Sequence, residues 1–122
     1  MKVVDTDIFI DFFRGLPQAL PYLKDHADEI TFSAVTEGEL LSGLICNDDK
    51  EREKVFHVLS QFDKIPVDNP LIQVAADIRR TYKLELPDAI VAASALITGA
   101  TLITRNIRYF QKIQGLQLEK PY

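Results

Sequence analysis

The residues of this chain that could do chemistry are acids placed at the ends of apolar segments. Asp5 directly follows the run Lys2 to Val4, with Asp7 two positions on. Glu39 lies in a helical segment behind Ile30-Thr31-Phe32, Asp88 just inside the segment that Pro87 opens, and Asn106 behind the run Thr101 to Thr104. Carboxylates brought together repel, and each costs desolvation energy unless cations bridge them. Such a set of hard oxygen donors suits Mg²⁺ or Mn²⁺ better than zinc. Cys46 is the only cysteine, and His26 and His57 are too isolated to form a zinc site.

Each of these residues also has a plainer role. Asp5-Thr6-Asp7 suits the cap of a helix starting near Ile8. Glu39 could close a capping box with Thr36, although Ser33 offers an earlier cap. Asp88 is favourable at a helix N-terminus through the macrodipole alone, and Asn106 is a common turn residue. On a helical wheel Glu39 lies among Val35, Gly38, Ser42, Gly43 and Cys46, a face of mostly small residues that permits close approach. Glu37 lies nearer the bulky stripe of Leu40, Leu41 and Leu44, for no reason evident in the sequence. The joint placement at four element ends favours a shared site.

These positions matter only if the elements converge. Short β-rich runs alternate with helical patterns along the whole chain. Strands are expected at Lys2 to Val4, Ile30 to Phe32, Ile65 to Val67 and Thr101 to Thr104, with a fifth at Leu116 to Leu118. Helices are expected from Ile8 to Phe13, Gln18 to His26, Ser33 to about Ile45, Asn47 or Asp48 to Phe62, and Asn69 to Tyr82, with Pro70 at the first helical position. A last helix opens at Pro87 and stops at Gly99; its stretch Ala89 to Ile97 is apolar on nearly every face and therefore central. This alternation implies a three-layer α/β/α sandwich around a parallel sheet of four to five strands. Ligands of such folds sit beyond the carboxyl ends of the strands.

The 122 residues, 47% of them apolar, suit a single domain spanning 1–122 with a core of its own. A lone cysteine, no signal-peptide pattern and no bilayer-length apolar run point to a cytoplasmic protein without a membrane partner. The net charge of −4 and pI near 5.1 argue against a plain basic nucleic-acid-binding module. They argue less against an enzyme whose bound divalent ions reverse the local sign.

With these motifs in order and spacing over the whole chain, the sequence resembles the PIN-domain family, and within it the VapC-like toxins. Val3-Val4-Asp5-Thr6-Asp7-Ile8-Phe9-Ile10 is similar to the first family motif. Ser33-Ala34-Val35-Thr36 with Glu39-Leu40 and Gly43 is similar to the second. Pro87-Asp88-Ala89-Ile90-Val91-Ala92-Ala93-Ser94-Ala95 is similar to the third. Gly99 to Asn106, followed by Phe110 and Gly115-Leu116, is similar to the last. The resemblance implies that Asp5, Glu39 and Asp88 are metal ligands and that Asn106 stands where many members carry a fourth acid. Tyr109 departs from the Asp, Glu or His common before Phe110. The implied activity is Mg²⁺- or Mn²⁺-dependent hydrolysis of phosphodiester bonds in single-stranded or structured RNA, with Arg105 and Arg14 as candidate phosphate contacts. Their plainer reading is a solvated surface charge.

The resemblance further implies a homodimer and a small antitoxin partner. Leu40, Leu44, Phe56 and Phe62 look more numerous than one side of a thin sandwich can bury, which would mark an interface; burial in the monomer core is the competing expectation. The rival readings are a PIN nuclease of RNA processing that is not a toxin, a non-catalytic PIN-like binding module, and a haloacid-dehalogenase-type phosphatase. The phosphatase reading rests on Asp5-Thr6-Asp7 but lacks a downstream lysine and acidic pair after Thr104.

Overall fold

The computed structural model describes residues 1–43 and 45–122. Five parallel strands are ordered β3-β2-β1-β4-β5: β1 (Lys2–Val4), β2 (Ile30–Ser33), β3 (Asp63–Ile65), β4 (Thr101–Ile103) and β5 (Leu118–Glu119). The α-helices are α1 (Thr6–Phe13), α2 (Ala19–Asp25), α3 (Ala34–Ser42), α4 (Asp49–Leu59), α5 (Asn69–Tyr82), α6 (Leu86–Thr98) and α7 (Ile107–Phe110). This is the expected sandwich, with five strands.

The two-residue period of the strands sorts the core into two layers. Val4, Ile103, Ile30 and Phe32 face Ile8 and Phe9 of α1, Leu23 of α2, Leu40 of α3, and Val55 and Leu59 of α4. Val3 and Leu102 face the other way, onto Leu71, Ala75 and Ile78 of α5 and Ala89 to Ala93 of α6. α6 is buried along most of its length, as its continuous apolar pattern requires. Gly99 ends it at φ 69°, a left-handed position that costs glycine nothing.

Several boundaries differ from the expectations, each for a local reason. α1 begins at Thr6 rather than Ile8, because the Asp5 side chain caps it. α3 stops at Ser42, short of Ile45, where Gly43 turns extended; Leu44 lies outside the described residues. Asp48, not Asn47, caps α4, accepting from the Glu51 N–H at 2.8 Å. Asp68 caps α5, which places Pro70 second rather than first. β3 lies two residues earlier than expected, pairing Ile65 with Ser33; Pro66 follows without an N–H and cannot extend the ladder. β5 begins at Leu118, two residues later than expected.

The apolar excess behind the expected interface is smaller than the sequence suggests. Leu40 is buried in the core and Phe62 packs half-buried against it, while Phe56 stays 40% exposed. Between α2 and α4 an apolar concavity of about 290 Å³ remains, walled by Phe12, Leu20, Leu23, Val58 and Phe62.

Candidate active site

The strand order reverses at β1, which pairs with β2 on one side and with β4 on the other. Crossovers leave in opposite directions there, so a crevice opens at the carboxyl edge between β1 and β4. Asp5 and Thr104 are the first residues past those two strands. The Thr104 hydroxyl donates to Asp5 Oδ2 at 2.8 Å, bridging the crevice. Asp5 Oδ1 accepts from the Thr6 N–H at 2.8 Å, and the Asp5 N–H donates to the Ile103 carbonyl at 2.9 Å. Asp5 therefore both caps α1 and holds a fixed, 7% exposed carboxylate at the switch point.

Glu39 reaches the same place from α3. Thr6 Oγ1 donates to Glu39 Oε1 at 2.8 Å and lies 2.9 Å from Thr36 Oγ1. Ser33 caps α3 by accepting from the Val35 N–H, so the capping-box role for Glu39 does not occur. Glu37, unexplained from sequence, pairs with Lys64 of β3 at 3.2 Å.

Asp88 lies in the first turn of α6 and is half-buried. Burial pushes its carboxyl above the usual range; a hydrogen bond from the Tyr109 hydroxyl opposes this, and the Glu85 charge adds to it. The same hydroxyl accepts from the Glu85 N–H at 3.1 Å. Tyr109, which the sequence offered only as a departure from the family pattern, thus ties α7 to the start of α6.

Asp5 is pushed up to about 7, first by burial, then by the negative charge of Asp7, with Asp88 adding a smaller repulsion against the bonds from Thr104 and Thr6. Asp7 is also raised, chiefly by burial. Its Oδ1 is buried without a hydrogen-bond partner, while Oδ2 accepts weakly from the Arg105 N–H at 3.4 Å. Asn106 is exposed at the start of α7, and its N–H donates to Thr104 Oγ1 at 3.0 Å.

The Asp88 charge is thus felt at Asp5 and Glu39 is bonded to Thr6 next to Asp5, but the three do not form a closed cage. Among the described residues no group of three or more His, Cys, Asp or Glu side chains is arranged to hold a metal ion. The donor set is nevertheless of the hard-oxygen kind that takes Mg²⁺ or Mn²⁺. Desolvated, mutually repelling carboxylates and an orphaned buried oxygen leave the region short of positive charge.

Arg105 is exposed, as its plainer reading expects, but it is held in an ion pair. Its guanidinium forks onto Asp11, with Nη2 at 3.0 Å from Oδ1 and Nε at 2.8 Å from Oδ2. The Tyr122 hydroxyl donates to the same Oδ2 at 2.7 Å. The cluster ties the turn after β4 to α1 and to the last residue of the chain. Tyr122→Phe, which removes one charge-assisted bond but leaves the fork, should lower unfolding stability by about 1 kcal/mol in urea denaturation. Arg14, at the end of α1, is exposed.

The model of the PIN domain matches residues 2–116. Ribonuclease VapC19 of Mycobacterium tuberculosis is 30% identical over an alignment of 129 residues covering 96% of this chain and 98% of the relative. Ribonuclease VapC1 of Rickettsia felis is 29% identical, covering 95% of this chain and 92% of the relative. A structure described as a toxin–antitoxin complex from Klebsiella pneumoniae superposes with a TM-score of 0.85 at 31% identity, covering 100% of this chain and 98% of the other. The match spans every strand but β5 and all the residues that border the crevice, which sets aside the phosphatase reading: the chain belongs to the PIN-domain family, in its VapC-like branch.

Proposed function

We propose that this chain is a divalent-metal-dependent ribonuclease and the toxin of a toxin–antitoxin pair. The observation that carries the reading is the buried Asp5 carboxylate, held by Thr104 just past β1 and β4 at the switch point of the sheet, with the Asp88 carboxylate of α6 close enough to repel it. Asp5, Glu39 and Asp88 would hold Mg²⁺ or Mn²⁺, with Asn106 contributing a neutral oxygen at the same edge. When bound, the ion supplies positive charge for the scissile phosphate and lowers the pKa of a hydrolytic water. The chain's own residues do the positioning. Thr104 and the Thr6 N–H fix both oxygens of Asp5, and Thr6 orients Glu39.

Asn106→Asp adds a charge at that edge, and isothermal titration of the metal-free protein should show tighter Mn²⁺ binding than in the wild type. Unchanged affinity would mean that Asn106 takes no part in the ligand set.

The toxin assignment rests on the names of the relatives and on the apolar concavity between α2 and α4, which suits an amphipathic segment of a small antitoxin. The half-exposed Phe56 suits a homodimer contact. The test is cleavage of labelled single-stranded RNA by the purified chain, repeated after co-purification with the product of the adjacent reading frame. Cleavage that the partner suppresses is expected. Cleavage with no suppressing partner keeps the nuclease and removes the toxin; no cleavage under any divalent ion removes both.

A further inference from the structure

A chain of net charge −4 repels a polyanion unless some of its fourteen lysines and arginines are grouped where the strand lies, and four of them are held in ion pairs among the described residues. Lys64 pairs with Glu37, Lys2 with Glu119, Arg80 with Asp77 and Arg105 with Asp11. Arg79 and Lys83, like several other cations among the described residues, form no ion pair or side-chain hydrogen bond, but these two share one cleft. Together with Leu84 and Glu85 they line a concavity of about 320 Å³ at the junction of α5 and α6.

That concavity adjoins the crevice. Glu85, on its wall, gives its N–H to the Tyr109 hydroxyl at 3.1 Å, and this hydroxyl also lies close enough to Asp88 to lower its carboxyl. The wall thus carries two free cations against one carboxylate, a single step from the acids of the site. Lys83 also sits at φ 59° and ψ 42°, and among the described residues it is the only non-glycine at positive φ. A glycine would cap α5 there without strain, so the lysine side chain is carried at a backbone cost. A strained residue beside a site is a motive for asking what its side chain binds.

We propose that the Arg79–Lys83 cleft binds backbone phosphate of the RNA strand flanking the cleaved bond. The inference rests on the ribonuclease reading above. Arg79 offers a planar fork of donors for phosphate oxygens and Lys83 a mobile point charge. Both contacts are blind to base identity and set how the strand lies across the crevice. The cleft offsets the repulsion that an acidic protein otherwise presents to RNA.

The test measures affinity for a fluorescent single-stranded RNA oligonucleotide by anisotropy, in EDTA so that nothing is cleaved, across a salt series. Arg79→Gln with Lys83→Gly removes both cations, the glycine also relieving the strained backbone. Lys50→Gln with Lys54→Gln, on α4 beyond the opposite face of the sheet, removes the same net charge as a control. Two lost phosphate contacts on a single strand should flatten the dependence of log affinity on log salt by about 1.4, at roughly 0.7 per contact. The control should leave the slope unchanged. Lys83→Gly alone should flatten it by about 0.7 and keeps the test decisive if the double variant misfolds. Equal effects of the cleft and control pairs, no change in the cleft variant, or no RNA bound by the wild type in EDTA would overturn the cleft assignment. If the wild type still cleaves RNA with a divalent ion in those cases, the ribonuclease reading stands without it; if it does not, both fall.

Discussion

Asp5→Asn should reduce RNA cleavage by at least about a thousandfold while leaving the fold intact. The change removes one negative charge from the proposed ligand set at nearly constant shape. A thousandfold is about 4 kcal/mol of transition-state stabilisation, in the range a bound metal ion supplies. The geometry allows the substitution: an amide oxygen can still accept from the Thr6 N–H, and the amide nitrogen can donate to the Thr104 hydroxyl where the carboxylate accepted. In the metal-free protein the same variant should be more stable than the wild type at and above neutral pH. Asp5 is raised from 3.8 to about 7, so between those values the folded state binds more protons than the unfolded one. Its contribution is therefore full below about pH 4 and is lost as pH rises through 7, amounting to up to about 4 kcal/mol. Asparagine carries no such loss. Thermal melts in EDTA across pH 4 to 9 should show the two proteins diverging as pH rises. Coinciding curves would mean that Asp5 is not a strained carboxylate.

Phe9→Ala should cost about 3–5 kcal/mol, as expected for a fully buried phenylalanine. Phe9 is 0% exposed. Its ring lies 5.9 Å from Phe32 of β2, edge-on, and 5.9 Å from Phe62 beyond α4. It therefore joins the sheet to the first helix and to the turn after the fourth. Domains of this size are stable by about 5–15 kcal/mol in all, so the variant should unfold at far lower urea. Because α1 begins at the Asp5 cap, the loss should also reach the crevice: a destabilised α1 loosens Thr6, and with it Glu39. A denaturation midpoint within error of the wild type would contradict the packing described for this layer.

What the sequence revealed followed from regular elements. Asp5 and Asp88 were legible because one directly follows an apolar run and the other directly follows a proline. The layers were legible because strand-like and helical segments alternate along the chain and α6 is apolar all round. The groups that orient the acids were hidden. Thr104 holds Asp5 across 99 residues of chain, and Tyr122 reaches Asp11 across 111. Tyr109 gains its role only because α7, too short for a periodic signal, folds back onto the start of α6. The shifted β3 follows from an edge strand with two charged residues, Asp63 and Lys64, which no apolar pattern marks. Arg105 looked like a free cation because its partner lies on another element.

The most direct test strips the purified chain with chelator and measures cleavage of single-stranded RNA before and after Mg²⁺ or Mn²⁺ is returned. The expected result is no cleavage in EDTA, recovery in the wild type on adding either ion, and no recovery in Asp5→Asn or Asp88→Asn. Undiminished cleavage in EDTA, or full recovery in either variant, would contradict a metal-dependent site built on Asp5 and Asp88.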